Sequence, residues 1–305
     1  MQSISPRVDI AFKKIFGVEE NKDLLISLIN SIVSEEDQVA EITLLNPYNA
    51  QNFRQDKLSI LDIKAQGKDG KRFNIEIQIS DEADYDKRAL YYWAKLYTEQ
   101  LKSAEDYSEL CKAIGIHILN FTSIPEVAKY HNVFHVREQE SNLLYFKDLE
   151  LHTIELKKFA EQADGEIVNW LEKIKSSLDM WVAFLTRHDL LNKEKLPPVL
   201  DKPVLKKALS VLEVMNFGVE ERGAYEDHLK WLRIEANTLK KYQSLGFEEG
   251  RAEGLDEGVQ IGKHAALLEV ASNMLRQGMS VEEIAKITTL SMNQIEELLG
   301  RRYRD

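Results

Sequence analysis

Between Leu58 and Ser80 the chain reads LSILDIKAQGKDGKRFNIEIQIS, and its second half alternates without a break, Phe73, Ile75, Ile77 and Ile79 against Asn74, Glu76, Gln78 and Ser80. A period of two sustained this long describes a half-buried strand. Ile60, Leu61 and Ile63 begin a second apolar run, so two strands meet at a turn around Lys68-Asp69-Gly70. A two-residue Asp-Gly turn would put Asp62 opposite Ile77 and mix polar with apolar side chains on one face. A three-residue loop with Gly70 at a positive φ instead pairs Gly67 with Lys71, sets Asp62 opposite Glu76 and leaves Gln78 beside them. Facing carboxylates repel. Either a divalent cation with oxygen ligands lies between them, or the three residues form a solvated face that keeps an edge hairpin soluble.

An Asp on one strand followed by Glu-X-Gln on the next resembles the PD-(D/E)XK nuclease core, with Gln78 where that core usually has lysine. More narrowly, VDIAFKKIFG (Val8 to Gly17), ILDIKAQGKDGKRFNIEIQ (Ile60 to Gln78) and RALYYWAKLYTEQLKSAEDY (Arg88 to Tyr107) resemble the recombination-promoting nuclease, or transposase-like, family. The resemblance implies an α/β fold, a mixed sheet flanked by helices, followed by an all-α C-terminal region. It implies a metal-dependent DNA endonuclease in which Asp62, Glu76 and the carbonyl of Ile77 hold Mg²⁺, or Mn²⁺ in its place. Gln78 then orients water or phosphate by hydrogen bonds and adds no charge. Arg88 and Tyr92, one turn apart on the next helix, contact phosphate or hold the carboxylates in place. Asp9 is an auxiliary candidate, and Lys13 at i+4 shares its face; by themselves the two read as a surface ion pair.

Composition narrows the alternatives. The 305 residues are 44% hydrophobic and 30% charged, as expected of a soluble globular protein. The start, MQSISPRVDIAF, lacks the apolar core of a signal peptide, and no run reaches the roughly 18 apolar residues of a membrane span, so a cytoplasmic protein is expected. Cys111 is the single cysteine, which excludes an intrachain disulfide and reads as a buried thiol. The net charge of −11 argues against broad attraction to polyanions, and residues 1 to 125 carry 15 Lys and Arg against 20 Asp and Glu. Contact with DNA therefore requires a local basic patch and the charge of the metal.

The remaining chain divides into a core at 1–160, a helical extension at 161–245 and a glycine-spaced helix with a small helical module at 246–305. Helices are expected over 6–17, 23–33 and 87–101, the last with Leu90, Trp93, Ala94, Tyr97 and Leu101 facing inward. Strands are expected near 40–48, 113–121, 133–137 and 151–156. His117 stands alone in the second of these segments and reads as a core histidine; His131, His135 and His152 lack the spacing of a zinc motif. The segment 166–187 reads as one helix. Gly246, Gly250, Gly254, Gly258 and Gly262 recur every fourth residue, which in a helix makes a bare stripe about 24 Å long. Close packing of that stripe on a second copy would offset its propensity cost and give a homodimer. Three short helices follow, resembling a helix-turn-helix in size, but the acidic MNQIEELL suits an interaction module better than a DNA reader. Two functions compete: the endonuclease, and a catalytically weak or inactive scaffold of nuclease fold that binds DNA or protein as an oligomer.

Overall fold

The computed structural model describes residues 4–47, 63–81, 84–161, 171–213 and 218–302. The hairpin is formed by β2 (Ile63–Gly67) and β3 (Arg72–Gln78), paired Ile63 with Ile75, Lys64 with Asn74 and Ala65 with Phe73. Its loop has three residues. The Gly67 N–H donates to the Lys71 carbonyl at 2.9 Å, and Gly70 adopts φ 85°. This is the register under which Asp62 opposes Glu76; Asp62 itself lies outside the described residues.

Around the hairpin stands a six-stranded mixed sheet in the order β1-β2-β3-β4-β6-β5, where β1 is Ile42–Leu44, β4 Ala113–Leu119, β5 His131–Arg137 and β6 Leu144–Glu155. β3 and β4 run parallel, joined by a crossover through α3 (Tyr85–Thr98). Every residue of β4 is buried, the signature of a strand covered on both faces. Ile63, Phe73, Ile75, Ile77, Ile114, Ile116 and Ile118 point into the main core, with α1 (Asp9–Phe16), α2 (Lys22–Ile32), α5 (Ser177–Arg187) and α6 (Pro203–Leu212) contributing to it. Phe16 meets Trp181 edge-on at 5.3 Å, and each such fully buried side chain contributes about 1.5–3 kcal/mol. On the other face Tyr85 and Ala89 of α3 pack against Leu119 and Phe121. A short helix α4 (Leu156–Glu161) follows β6 directly.

Three expectations need correction. α1 begins at Asp9, three residues after Pro6. The segment 166–187, insofar as it is described, is not one helix: α5 starts afresh at Ser177, because Ser176 and Asp179 form a capping box and Tyr130 donates its hydroxyl to Asp179. In α3 the inward stripe is shifted. Leu90 is 51% exposed while Tyr85, Ala89 and Leu96 are buried, since the helix starts earlier and is seated by Tyr85.

The chain forms two compact units, Met1–Leu229 and Lys230–Asp305. A single 58-residue helix, α7 (Val219–Arg276), begins in the first and continues through the second. The glycine ladder is helical, as expected, but the first of the three short helices is the end of α7. Nothing breaks the helix before Gly278 at φ 88°. α8 (Val281–Thr288) and α9 (Met292–Arg302) then fold back to enclose Ala271, Ile284, Leu290 and Ile295. Ser280 with Glu283 and Ser291 with Gln294 make the expected reciprocal capping bonds. Among the described residues no helix is long and apolar enough to cross a membrane.

Candidate active site

Because side chains alternate along β3, placing Phe73, Ile75 and Ile77 in the main core turns Asn74, Glu76 and Gln78 to the face beneath α3. Glu76 is 1% exposed there and Gln78 6%. A buried carboxylate needs a compensating charge, and the crossover supplies it: α3 returns over the end of β3, so Arg88 on its second turn reaches down. Nη2 of Arg88 lies 3.3 Å from Oε1 of Glu76 and donates to Oε1 of Gln78 at 2.6 Å. Gln78 in turn donates its amide N–H to the carbonyl of Ser80 at 3.0 Å, which turns its oxygen toward Arg88. The guanidinium carbon stands 5.3 Å over the Tyr85 ring, a cation–π contact that holds it from the other side.

His117 is buried, as expected of a core histidine, but the neighbours it has there were not visible in the sequence. The parallel register of β3 and β4 sets it beside Glu76, with Nδ1 3.8 Å from Oε2 of Glu76 and 2.8 Å from the Tyr85 hydroxyl. Burial first, then electrostatic interaction with His152 and with the Arg88 guanidinium, lowers its pKa to about 4, so it is neutral at pH 7. That neighbour is set by a non-local pairing, and no local motif in AIGIHIL announces it.

Asp9 and Lys13 form their i, i+4 pair at 3.8 Å, but both are buried, 8% and 6% exposed, which corrects the surface reading. Arg7, just before α1, donates to the side-chain oxygen of Asn120 at 2.7 Å, and the Asn120 N–H donates to the Gln78 carbonyl at 2.9 Å. The start of α1 is thereby fastened to the end of β3. Tyr92 is half-buried on α3, its ring 5.8 Å from that of Tyr91. The Ile77 side chain faces the main core, leaving only its backbone carbonyl as a donor. Trp93 and Tyr97, expected in the core, are half-buried and stacked at 5.3 Å, with the Trp93 indole N–H on the Ala113 carbonyl. Cys111 is half-buried beside the hairpin loop instead of inside the core.

A second polar cluster lies on the opposite face of β6. Nε2 of His131 stands 2.9 Å from Nδ1 of His152, whose Nε2 stands 2.6 Å from Glu150. His135 approaches the same carboxylate at 3.7 Å. Lys112 bridges Glu150 at 2.8 Å and Asp37 at 2.6 Å. The three histidines thus do come together, through the β5–β6 pairing. Among the described residues, however, no group of three or more His, Cys, Asp or Glu is arranged to hold a metal ion.

The donors around Glu76 are a carboxylate, an amide oxygen and backbone carbonyls, a hard set that suits Mg²⁺ or Mn²⁺ and not a thiolate-seeking metal. Arg88 already contacts Glu76, so a cation bound there would share the carboxylate with it. A family model described as PD-(D/E)XK nuclease family transposase matches residues 6–241. Comparison with curated proteins and with solved structures gives no match.

Proposed function

The chain belongs to the PD-(D/E)XK nuclease family transposases, and we propose that it is a divalent-cation-dependent endonuclease that hydrolyses phosphodiester bonds of DNA. The observation that carries this reading is the buried Glu76 at the end of β3, joined to Gln78 by Arg88 in a hairpin with the three-residue loop that the sequence pattern needs if Asp62 is to oppose Glu76. Asp62, Glu76 and the Ile77 carbonyl would hold Mg²⁺ or Mn²⁺. When bound, such a cation supplies Lewis-acid stabilisation of the charge that develops on a scissile phosphate. Gln78 orients water or a phosphate oxygen by hydrogen bonding. Arg88 replaces the cationic charge that lysine carries at the Gln78 position in related nucleases, and it presents planar donors to phosphate. Asp9 and Tyr92 are auxiliary to this set.

We place the activity in DNA recombination or in the processing of mobile or foreign DNA, carried out by a homodimer joined through the glycine ladder of α7. The test is a supercoiled plasmid incubated with purified full-length protein and Mg²⁺. Nicked circles are expected with the wild type and not with Asp62→Ala or Glu76→Ala. Nicking that continues unchanged in Asp62→Ala overturns the assignment.

One observation favours the scaffold reading instead: the contact between Arg88 and Glu76 already neutralises the carboxylate, at a site without the usual lysine. Calorimetry separates the two. A chain that binds neither Mg²⁺ nor Mn²⁺ in a Glu76-dependent way is a nuclease fold used for binding alone.

A further inference from the structure

Beneath the carboxylate lies a tier of residues that the nuclease assignment does not use. His117 is 2% exposed and Tyr85 5%. Tyr85 opens the first turn of α3, its ring edge-on to His117 at 5.9 Å and to Phe121 at 5.8 Å, which locks it in place from two directions. Its hydroxyl meets Nδ1 of His117 at 2.8 Å, and its face supports the Arg88 guanidinium. Tyr85 thus touches both groups that flank Glu76: the arginine at Oε1 and the histidine at Oε2.

The two ring nitrogens of His117 meet different surroundings. Nδ1 faces oxygen atoms, those of Tyr85 and Glu76. Nε2 is buried with no hydrogen-bond partner among the described residues, packed on Gly115 so closely that a Cβ there would lie 3.0 Å away. A proton on Nε2 would be a buried donor with no acceptor, at a cost of about 1–3 kcal/mol. A proton on Nδ1 has the Tyr85 hydroxyl as an acceptor at 2.8 Å and faces the Glu76 carboxylate at 3.8 Å, beyond hydrogen-bond distance but close enough for electrostatic attraction. The imidazole edge turned toward the carboxylate is therefore its donor edge.

We infer that His117 and Tyr85 are positioning residues of the site: the imidazole, held by the Tyr85 hydroxyl, packs its positive N–H edge 3.8 Å from Oε2 and biases the orientation of the Glu76 carboxylate, and the Tyr85 ring fixes Arg88. This rests on the reading of Glu76 as a cation ligand. Outer partners of this kind set the direction of a ligand's lone pairs, and their loss costs metal affinity about 10–100-fold.

The measurement is Mn²⁺ affinity by calorimetry on the full-length chain, with thermal unfolding recorded for every variant. His117→Leu should weaken binding about 10–100-fold. His117→Asn should restore most of it, because its amide N–H occupies the place of Nδ1–H. Tyr85→Phe, which keeps the ring under Arg88 and removes the hydroxyl, should give an intermediate loss, and it serves should His117→Leu fail to fold. Nitrogen-15 NMR of the imidazole should find the proton on Nδ1. Wild-type affinity in His117→Leu, equal losses in the Leu and Asn variants, or a proton on Nε2 each overturns the inference while leaving the nuclease reading intact. A wild-type chain that neither binds Mn²⁺ nor nicks DNA overturns both.

Discussion

Arg88 donates from Nη2 to the side-chain oxygen of Gln78 at 2.6 Å, so the glutamine proposed to stand where related nucleases carry lysine is already in contact with a cation. Restoring the lysine should therefore harm the protein. Gln78→Lys would set an ammonium against the Arg88 guanidinium beside the buried Glu76, where the two cations repel. We expect lower stability and no gain in plasmid nicking. Arg88→Met should lower nicking at least about 10-fold and destabilise the fold by about 3 kcal/mol, the usual cost of removing one partner of a buried ion pair. Much of that stability should return in the double variant with Glu76→Gln. Urea unfolding of the four proteins closes the cycle, and additive effects would show that the two side chains are not coupled.

The hairpin loop makes a second prediction. Gly70 has φ 85°, and a Cβ added there would stand 2.6 Å from Sγ of Cys111. Gly70→Ala should cost about 1–2 kcal/mol from the left-handed backbone, with a steric contribution in addition. Replacing Cys111 by Ala in the same chain removes the steric part and leaves the backbone part. If the double variant is no more stable than Gly70→Ala in urea, the clash is not a source of strain.

Acid should weaken the fold in two overlapping windows. His188 is buried, which lowers its pKa to about 4, with Asp189 opposing and Arg7 reinforcing the shift; burial likewise lowers His131 to about 4, aided by the charge of His152. Their ordinary value lies near 6.5, so between about pH 6.5 and 4 the unfolded chain takes up protons that the folded chain refuses, and stability falls with pH. For Glu150, burial alone would raise the pKa, but hydrogen bonds from His152 and Lys112 and their charges bring it to about 2. Its contribution is present above the ordinary carboxylate range and lost as pH falls toward 2. At pH 5 the penalty from His188 alone amounts to about 2 kcal/mol relative to pH 7.5. His188→Gln should flatten the urea midpoint across that interval by about this much; an unchanged slope would remove His188 from the account.

How far the sequence carries follows from which contacts are local. The hairpin register was legible because a period-two pattern and an Asp-Gly pair, only a few residues apart, admit few pairings, and Gly67 with Lys71 is the one observed. The capping boxes at Ser280 and Ser291 were legible for the same reason. Arg88 and Gln78 are ten residues apart, within reach of the helix that the apolar spacing over 87–101 already announced. His117 and the chain from Lys112 through Glu150 and His152 to His131 were not legible, since they depend on β4, β5 and β6 being aligned by α3 and by the sheet as a whole. The inward face of α3 was misjudged because Leu90 and Ala89 fit a helical stripe about equally well, and the choice is made by Tyr85 seating on Phe121.

The glycine ladder tests the assembly. Gly246, Gly250, Gly254, Gly258 and Gly262 lie on an unbroken helix, and at each of them an added Cβ would meet nothing within 4 Å among the described residues. Among the described residues of a single chain nothing gives these glycines a steric reason. Alanine at any one would add about 0.5–1 kcal/mol of helix stability. A second helix lying along the stripe reverses that sign, because a bare backbone permits an approach that a methyl group blocks. The exposed Phe247, 73%, and Ile261, 69%, fall a whole number of heptads apart with Gly254 midway, so the stripe is bordered by apolar side chains ready for burial. We expect the wild-type protein to be a dimer in light scattering at micromolar concentration, and Gly250→Leu, Gly254→Leu and Gly258→Leu together to yield monomers with an unaltered nuclease unit. Nicking of one strand should survive in the monomer, while paired cuts on both strands should be lost, because each copy carries one candidate site. Leucine variants that remain dimeric, or a monomeric wild type, would show that α7 does not bring two copies together through its glycines.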